Sequence, residues 1–240
     1  MCLFRAPVDN DGLKLLPDLG RRVGAGAETL ARWREIGVDR LPADELVAHE
    51  HRVERDADGA EVHHHEVRVP DDLADLPRIG IRFELPAAFD RMRWYGRGPL
   101  ENYPDRNRGA LLGIWAAGID EPPYLVPQDF GLRTDCRWFE LVGDDGTTVR
   151  LEPLDPPVLH CAATHFRVED LAGAAHETEL RPRRRLIVHA DVAHRGLGTA
   201  SCGPDVLDRY RIAPGTYRFT YRLSTAVRTD AGASARSPGR

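Results

Sequence analysis

The sequence predicts an all-β protein, a large antiparallel sandwich with one short helix near its N-terminus. Three observations carry the prediction. Runs with apolar residues at every second position recur from residue 46 to residue 223. Eighteen Pro and 22 Gly punctuate those runs, as many short strands require. The best stretch with helical spacing is a short one near the N-terminus. A chain of 240 residues is longer than a typical single domain, but all-β sandwiches of roughly 200–250 residues are common.

Each element has its own reason. Residues 1–25 read as loop, with Asp9-Asn10-Asp11-Gly12 as strong turn chemistry. Ala27, Leu30, Trp33 and Ile36 are spaced by three and predict a helix over 27–36, with Gly37 as its stop. Leu46-Val47-Ala48 leads into a strand through His51 to Arg55, and Asp56-Ala57-Asp58-Gly59 turns it back. Glu61 to Val69 alternates, as does Ile79 to Leu85, and Phe89 to Tyr95 is a further strand. Trp138–Val142 and Thr148–Leu151 flank Gly143-Asp144-Asp145-Gly146 as a hairpin. Leu186-Ile187-Val188 reads as buried, and Thr216 to Leu223 alternates over its whole length. The tail, 226–240, is small and polar and is expected to be disordered.

Composition excludes several functions. Thirty-three basic against 38 acidic residues give a net charge of −5, which argues against a general nucleic-acid binder. Lys14 is the single lysine. No apolar run is long enough to span a membrane, and the N-terminus has no apolar secretory core. Cys2, Cys136, Cys161 and Cys202 form no C-x-x-C pair. Reduced cysteines in a cytoplasmic protein are the plain reading.

Three polar loops hold the chemistry-bearing residues. The first runs from Arg93-Trp94-Tyr95-Gly96-Arg97 through Glu101-Asn102-Tyr103-Pro104-Asp105-Arg106. Trp94, Tyr95 and Tyr103 could stack on a sugar, and Glu101 and Asp105 could pair with Arg97 and Arg106. The plainer reading is a structural loop held by charge-assisted bonds. The second is Phe130 to Trp138, ahead of a strand. The third is His194 to Asp205, rich in glycine, and it does not satisfy a phosphate-loop pattern. His63-His64-His65 looks like a metal clip, since 63 and 65 share a strand face. No Cys or further His lies at standard ligand spacing. A solvated face is therefore the plainer reading, and no metal ligand is assigned. Arg181-Pro182-Arg183-Arg184-Arg185 reads as a charged loop or an interface. G-x-S-x-G is absent, so no serine-nucleophile elbow is recognised.

Together these loops carry a resemblance. Leu3-Phe4-Arg5-Ala6-Pro7-Val8-Asp9-Asn10-Asp11, Trp94-Tyr95-Gly96-Arg97-Gly98-Pro99 with Glu101 to Arg106, Gly131-Leu132-Arg133, and Asp191 to His194 with Gly196-Leu197-Gly198 resemble the C-terminal domain of family 2 β-galactosidases. In some members that domain is a separate small chain. The resemblance implies an antiparallel supersandwich similar to galactose mutarotase, over 1–225, with 46–79 shortened by one or two strands. It implies a share in the retaining hydrolysis of terminal non-reducing β-D-galactose residues. The two catalytic carboxylates, and the magnesium and sodium ligands, belong to a TIM barrel far upstream. No Glu or Asp here matches them, so no catalytic residue and no cofactor are expected in this chain.

The implied partners are a barrel-bearing catalytic chain or upstream domains, and a β-galactoside; a homo-oligomer is possible. The family's stacking Trp falls on Cys202, with one residue deleted before it. Ser201, Cys202 and His194 are thus the expected substrate-binding residues. Trp94, Tyr95, Glu101, Asn102, Tyr103, Asp105 and Arg106 are the structural motif. The start at Met1-Cys2-Leu3, inside a motif, suits a true small subunit, a split gene, a mis-called reading frame or a non-functional remnant. Two other readings stand beside the first. One is a stand-alone carbohydrate-binding module using Trp94 and Tyr103. The other is a mutarotase-like epimerase using His194 with Glu101 or Asp191.

Overall fold

A computed structural model of the chain describes residues 1–16, 28–119 and 122–227. Its strands are β1 (Ala48–Arg55), β2 (Glu61–Val69), β3 (Arg78–Pro86), β4 (Phe89–Gly98), β5 (Leu111–Gly118), β6 (Arg133–Cys136), β7 (Trp138–Gly143), β8 (Thr147–Asp155), β9 (Leu159–Thr164), β10 (Arg185–His194) and β11 (Gly215–Val227). Among the described residues they form two sheets. One has seven strands in the order β1-β2-β11-β8-β7-β4-β5, the other four in the order β3-β10-β9-β6. Every pairing is antiparallel. The fold is all-β, as the alternation predicts.

The core follows from the same alternation. Val67, Trp94, Phe139, Leu151 and Phe219 of the larger sheet belong to one buried cluster with Ile79, Ile81, Cys161, Leu186 and Val188 of the smaller one. Burying one side of each sheet against the other is what makes the pair stable. The turns use the expected residues. Asp56 Oδ1 accepts the backbone N–H of Asp58 and Ala60 between β1 and β2, and Asp145 Oδ1 accepts that of Thr147 between β7 and β8.

The expected helix is α1 (Thr29–Ile36), which buries Leu30 and Trp33 and ends on Gly37; residue 27 lies outside the described residues. Two shorter helices join it, α2 (Ala43–Leu46) and α3 (Val168–Gly173). Leu46, expected to lead a strand, closes α2 instead, and β1 starts at Ala48. Three strands depart from the sequence reading. β6 lies inside the expected polar loop 130–138. β5 (LLGIWAAG) and β9 (LHCAAT) are diluted by small residues that blur the alternation. Residues 46–79 carry β1, β2 and the start of β3. β11 continues to Val227, so residues 226 and 227, expected in the tail, are strand. The rest of that tail, 228–240, lies outside the described residues, as do 17–27 of the expected N-terminal loop. No helix among the described residues is long and apolar enough to cross a membrane.

Candidate functional site

The three polar loops and the N-terminal segment meet at one end of the sandwich and are joined by buried polar contacts. The N-terminal segment is locked first. Arg5 grips Asp11 with two bonds of 2.7 and 2.9 Å, and both side chains are wholly buried. Arg195, at the end of β10, meets Asp75 at 2.7 Å, Asp205 at 2.9 Å and Asp11 at 3.5 Å. Both guanidiniums lie over the Trp33 indole of α1, at 5.2 and 5.9 Å. Burial works against the Arg195 charge, and the surrounding aspartates hold its proton on.

The segment from Trp94 to Arg106 braces the other loops. Trp94 on β4 is fully buried. Its indole N–H donates to the Arg97 carbonyl at 3.0 Å, and the Arg133 guanidinium covers its ring at 5.0 Å. Tyr95, on the opposite face of β4, is half-buried under Arg137 at 5.2 Å. Glu101 accepts the Tyr124 hydroxyl at 2.7 Å and the Gly131 N–H at 2.6 Å. Burial and this carboxylate raise the Tyr124 phenol to about 12. Asn102 donates to the carbonyls of Arg97 and Leu100 and accepts the Thr134 N–H at 3.1 Å. Tyr103 donates to Asp129 at 3.0 Å. Its ring packs in a small cluster with Val8, Leu132, Ala162 and Leu197. The pairing expected of Glu101 and Asp105 with Arg97 and Arg106 is not made. Arg97 instead meets Asp135 at 2.6 Å. Both carboxylates take backbone N–H groups, which lie closer to hand.

The third loop rests on these residues. Asp105 accepts the N–H of Leu197 at 3.0 Å and of Gly198 at 2.7 Å. Arg106 and Asn10 both donate to the Gly198 carbonyl, at 2.9 and 2.7 Å. Asn10 also accepts the Ser201 N–H at 3.1 Å and its hydroxyl at 2.6 Å. Glycine is required here twice. A Cβ on Gly196 would stand 2.7 Å from the Asp105 carboxyl carbon, and Gly198 has φ of 67°. Above this base the tip faces solvent. Cys202 is exposed, Ser201 is half-buried, and Thr199, Gly203 and Pro204 are exposed. Asn10 is a loop-holding residue that sequence reasoning did not single out, although it sits in the quoted N-terminal motif.

His194 does not reach the tip. Its side chain is fully enclosed, and its Nδ1 faces the Arg195 carbonyl at 2.8 Å. Its Nε2 stands 3.7 Å from Asp129. Burial pushes the Asp129 pKa up, but His194, Arg78 and Arg5 outweigh it and hold the carboxyl down at about 2. A cavity beside Asp129, lined by Arg78, Thr164 and His189 among others, is about 10 Å³, room for one water at most. Asp191 is bound through both oxygens to Arg78. His194 and Asp191, two of the groups an epimerase would use, are buried, and the half-buried Glu101 is taken up by Tyr124 and Gly131. Trp94 and Tyr103, the residues a free-standing sugar binder was expected to use, are interior.

The basic run is a charged loop, as expected, with residues 181–184 ahead of β10, while the histidine expectation changes. Arg183 pairs with Asp170 and Arg185 with Glu84, so those charges of the basic run serve intramolecular pairs. His63 and His65 are not on a solvated face. The antiparallel register sets His51 opposite His65, and His65 stacks on Phe219 with ring centres 4.5 Å apart. Only His64 of the triplet turns to the other side, toward Glu54 at 3.1 Å.

Comparison with known proteins gives one consistent result. The family model described as "Beta galactosidase small chain" matches residues 1–223. A β-galactosidase of Arthrobacter sp. (strain B7) is 30% identical over 262 residues, covering 93% of this chain and 26% of its own length. One from Aeromonas hydrophila subsp. hydrophila is 32% identical over 248 residues, covering 89% of this chain and 23% of its own length. One from Bifidobacterium adolescentis is 37% identical over 135 residues, covering 53% of this chain and 12% of its own length. The chain spans about a quarter of the length of the first two relatives.

Proposed function

The chain belongs to the β-galactosidase small-chain family, and from that premise we propose that it is a non-catalytic component of a family 2 β-galactosidase. Assembled with a barrel-bearing chain, it contributes to the hydrolysis of terminal non-reducing β-D-galactose residues. One observation carries this reading: the carboxylates of the three loops are already committed. Retaining hydrolysis needs two carboxyl groups roughly 5–5.5 Å apart and open to substrate. Here Glu101 and Asp105 hold backbone amides, Asp129 holds Tyr103, and Asp191 holds Arg78.

The exposed tip with Ser201 and Cys202 rims the sugar site in the assembled enzyme, while His194 supports that loop from beneath. Magnesium and sodium belong to the barrel chain. A docking face is supported on β5, whose Leu112 and Ile114 share one strand face and are 49% and 64% exposed. Contiguous apolar exposure of this kind marks an interaction surface. The cytoplasm suits the four unpaired cysteines.

The test is direct. The purified chain should not hydrolyse a chromogenic β-galactoside above background. It should restore turnover to a barrel-bearing chain that lacks this segment. Turnover by the chain alone that falls when one of its own residues is replaced would overturn the reading.

A further inference from the structure

We propose that His51, His63 and His65 form a binding site for a divalent transition-metal ion of the zinc, nickel or copper class on the β1–β2 hairpin. The register places His51 directly across from His65, and His63 two residues along the same strand as His65. All three rings therefore project from one face of the hairpin. One ring nitrogen from each falls within a group spread over no more than 4.8 Å. His51 Nε2 and His63 Nδ1 are already 3.0 Å apart, and the rings of His51 and His65 lie 4.2 Å centre to centre.

The donor chemistry selects the ligand. Three imidazoles with no thiolate suit zinc, nickel or copper, whereas calcium and magnesium require oxygen. Two nitrogens bound to zinc at about 2.0–2.1 Å with tetrahedral angles stand roughly 3.3 Å apart. The present spread has to close by an ångström or so. The stacked rings, 7° to 13° from parallel where His51 meets His65 and His63, have to tilt toward a common point. Rotation about the terminal side-chain torsion, which is broad for His, supplies both movements.

A second observation points the same way. His65 is 6% exposed, and its Nε2 is buried with no hydrogen-bond partner. His63 Nε2 is also without a hydrogen bond, with a Glu61 oxygen 3.4 Å away. Buried polar groups without partners are uncommon in folded proteins, and a bound ion would use such a nitrogen. The surroundings resemble a supported site. His49 Nε2 contacts His65 Nδ1 at 3.0 Å and fixes the ring, as outer-shell groups do for ligating histidines. Phe219 and Tyr221, across from His65 and His63 on β11, stack beside them as an apolar wall. His51 is on the exposed side, which leaves an approach for the ion and a position for water or Glu61. β1 is the outermost strand of its sheet, so the ion would tie an edge strand to its neighbour.

The experiment uses the untagged full chain, titrated with zinc chloride in a non-chelating buffer and followed by calorimetry. Cobalt(II), whose visible bands report nitrogen coordination, serves as a second probe. One equivalent should bind with micromolar affinity or better, and zinc should raise the melting temperature. His51→Gln and His63→Gln should each weaken binding at least tenfold, while His64→Gln, on the opposite face, should leave it unchanged. Because His51 is exposed, its variant keeps the wild-type melting temperature in metal-free buffer. Absence of saturable binding, or binding that survives both His51→Gln and His63→Gln, or equal loss in His64→Gln, would overturn the proposal.

Discussion

At Cys202 a thiol stands where the family resemblance places a stacking indole, and its exposure decides what a substitution there does. Cys2, Cys136 and Cys161 are buried, and burial pushes the Cys2 thiol up. A thiol reagent should therefore modify one cysteine per native chain quickly and the other three only after denaturation. Cys202→Trp should change stability by no more than about 0.5 kcal/mol, as exposed substitutions usually do; a thermal melt checks this. Trp94→Ala should cost about 3–5 kcal/mol in urea unfolding, because it opens a cavity in the core and strips the Arg133 guanidinium of its cover. His189 is buried, and neither of its ring nitrogens has a hydrogen-bond partner. Burial and the nearby Arg78 hold its pKa well below the usual value. The folded chain thus favours the neutral ring, so stability is complete above about pH 6.5, the unfolded pKa, and is lost as pH falls below it. His189→Met should flatten the fall in melting temperature between neutral and mildly acid pH. The identity of such residues is legible in sequence, but their burial is not. The Trp94 motif also admits a sugar platform, the less plain of its two readings, until Arg133 of β6 is seen covering the ring.

Strands differ in how plainly the sequence announces them, and the difference is physical. Thr216 to Leu223 alternates large aromatic and polar residues, and it is the heart of β11. β9 (LHCAAT) and β5 (LLGIWAAG) are diluted by Ala, Cys and Gly, which leave a weak period, and their strand character comes from the neighbours they pair with. The four-histidine stack was hidden for a related reason. Its pairs across the hairpin are 12 to 16 residues apart in the chain, and only the register of β1 with β2 brings them together. β5 is also the far edge of the seven-stranded sheet. Ile114→Lys should leave the melting temperature of the isolated chain nearly unchanged, because the side chain is 64% exposed. It should reduce the ability of the chain to restore activity to a barrel-bearing partner, measured by titrating one against the other. Undiminished complementation would remove β5 from the docking face.

Across the whole molecule, distant segments are held by charge in the interior. Arg195 joins aspartates 11, 75 and 205, drawn from the N-terminal segment, the β2–β3 connection and the loop after β10. Arg195→Met would leave three carboxylates near one another without their shared cation. Removing one partner from a buried ion pair typically costs about 3–5 kcal/mol, and this variant should fall in that range or above it in urea unfolding. A loss below about 1 kcal/mol would mean the aspartates are rehydrated. The all-β class, the turns and the order of the motifs were legible from the chain. The interior ion network was not, because Arg and Asp at these positions look like ordinary surface charge until the fold encloses them.

The Gly196–Ser201 segment is fixed almost wholly through its main chain, by Asp105, Arg106 and Asn10. Such a cradle specifies the path of the backbone while leaving most side chains at the tip unread. The Thr199 hydroxyl closes the tip onto the Pro204 carbonyl at 2.9 Å, whereas the exposed side chains of Cys202 and Pro204 can change without a folding defect. A change between thiol and indole at Cys202 is the kind this arrangement tolerates. The same tolerance makes these positions the natural place to diversify in a randomised library, where variants would differ in what they touch and very little in whether they fold.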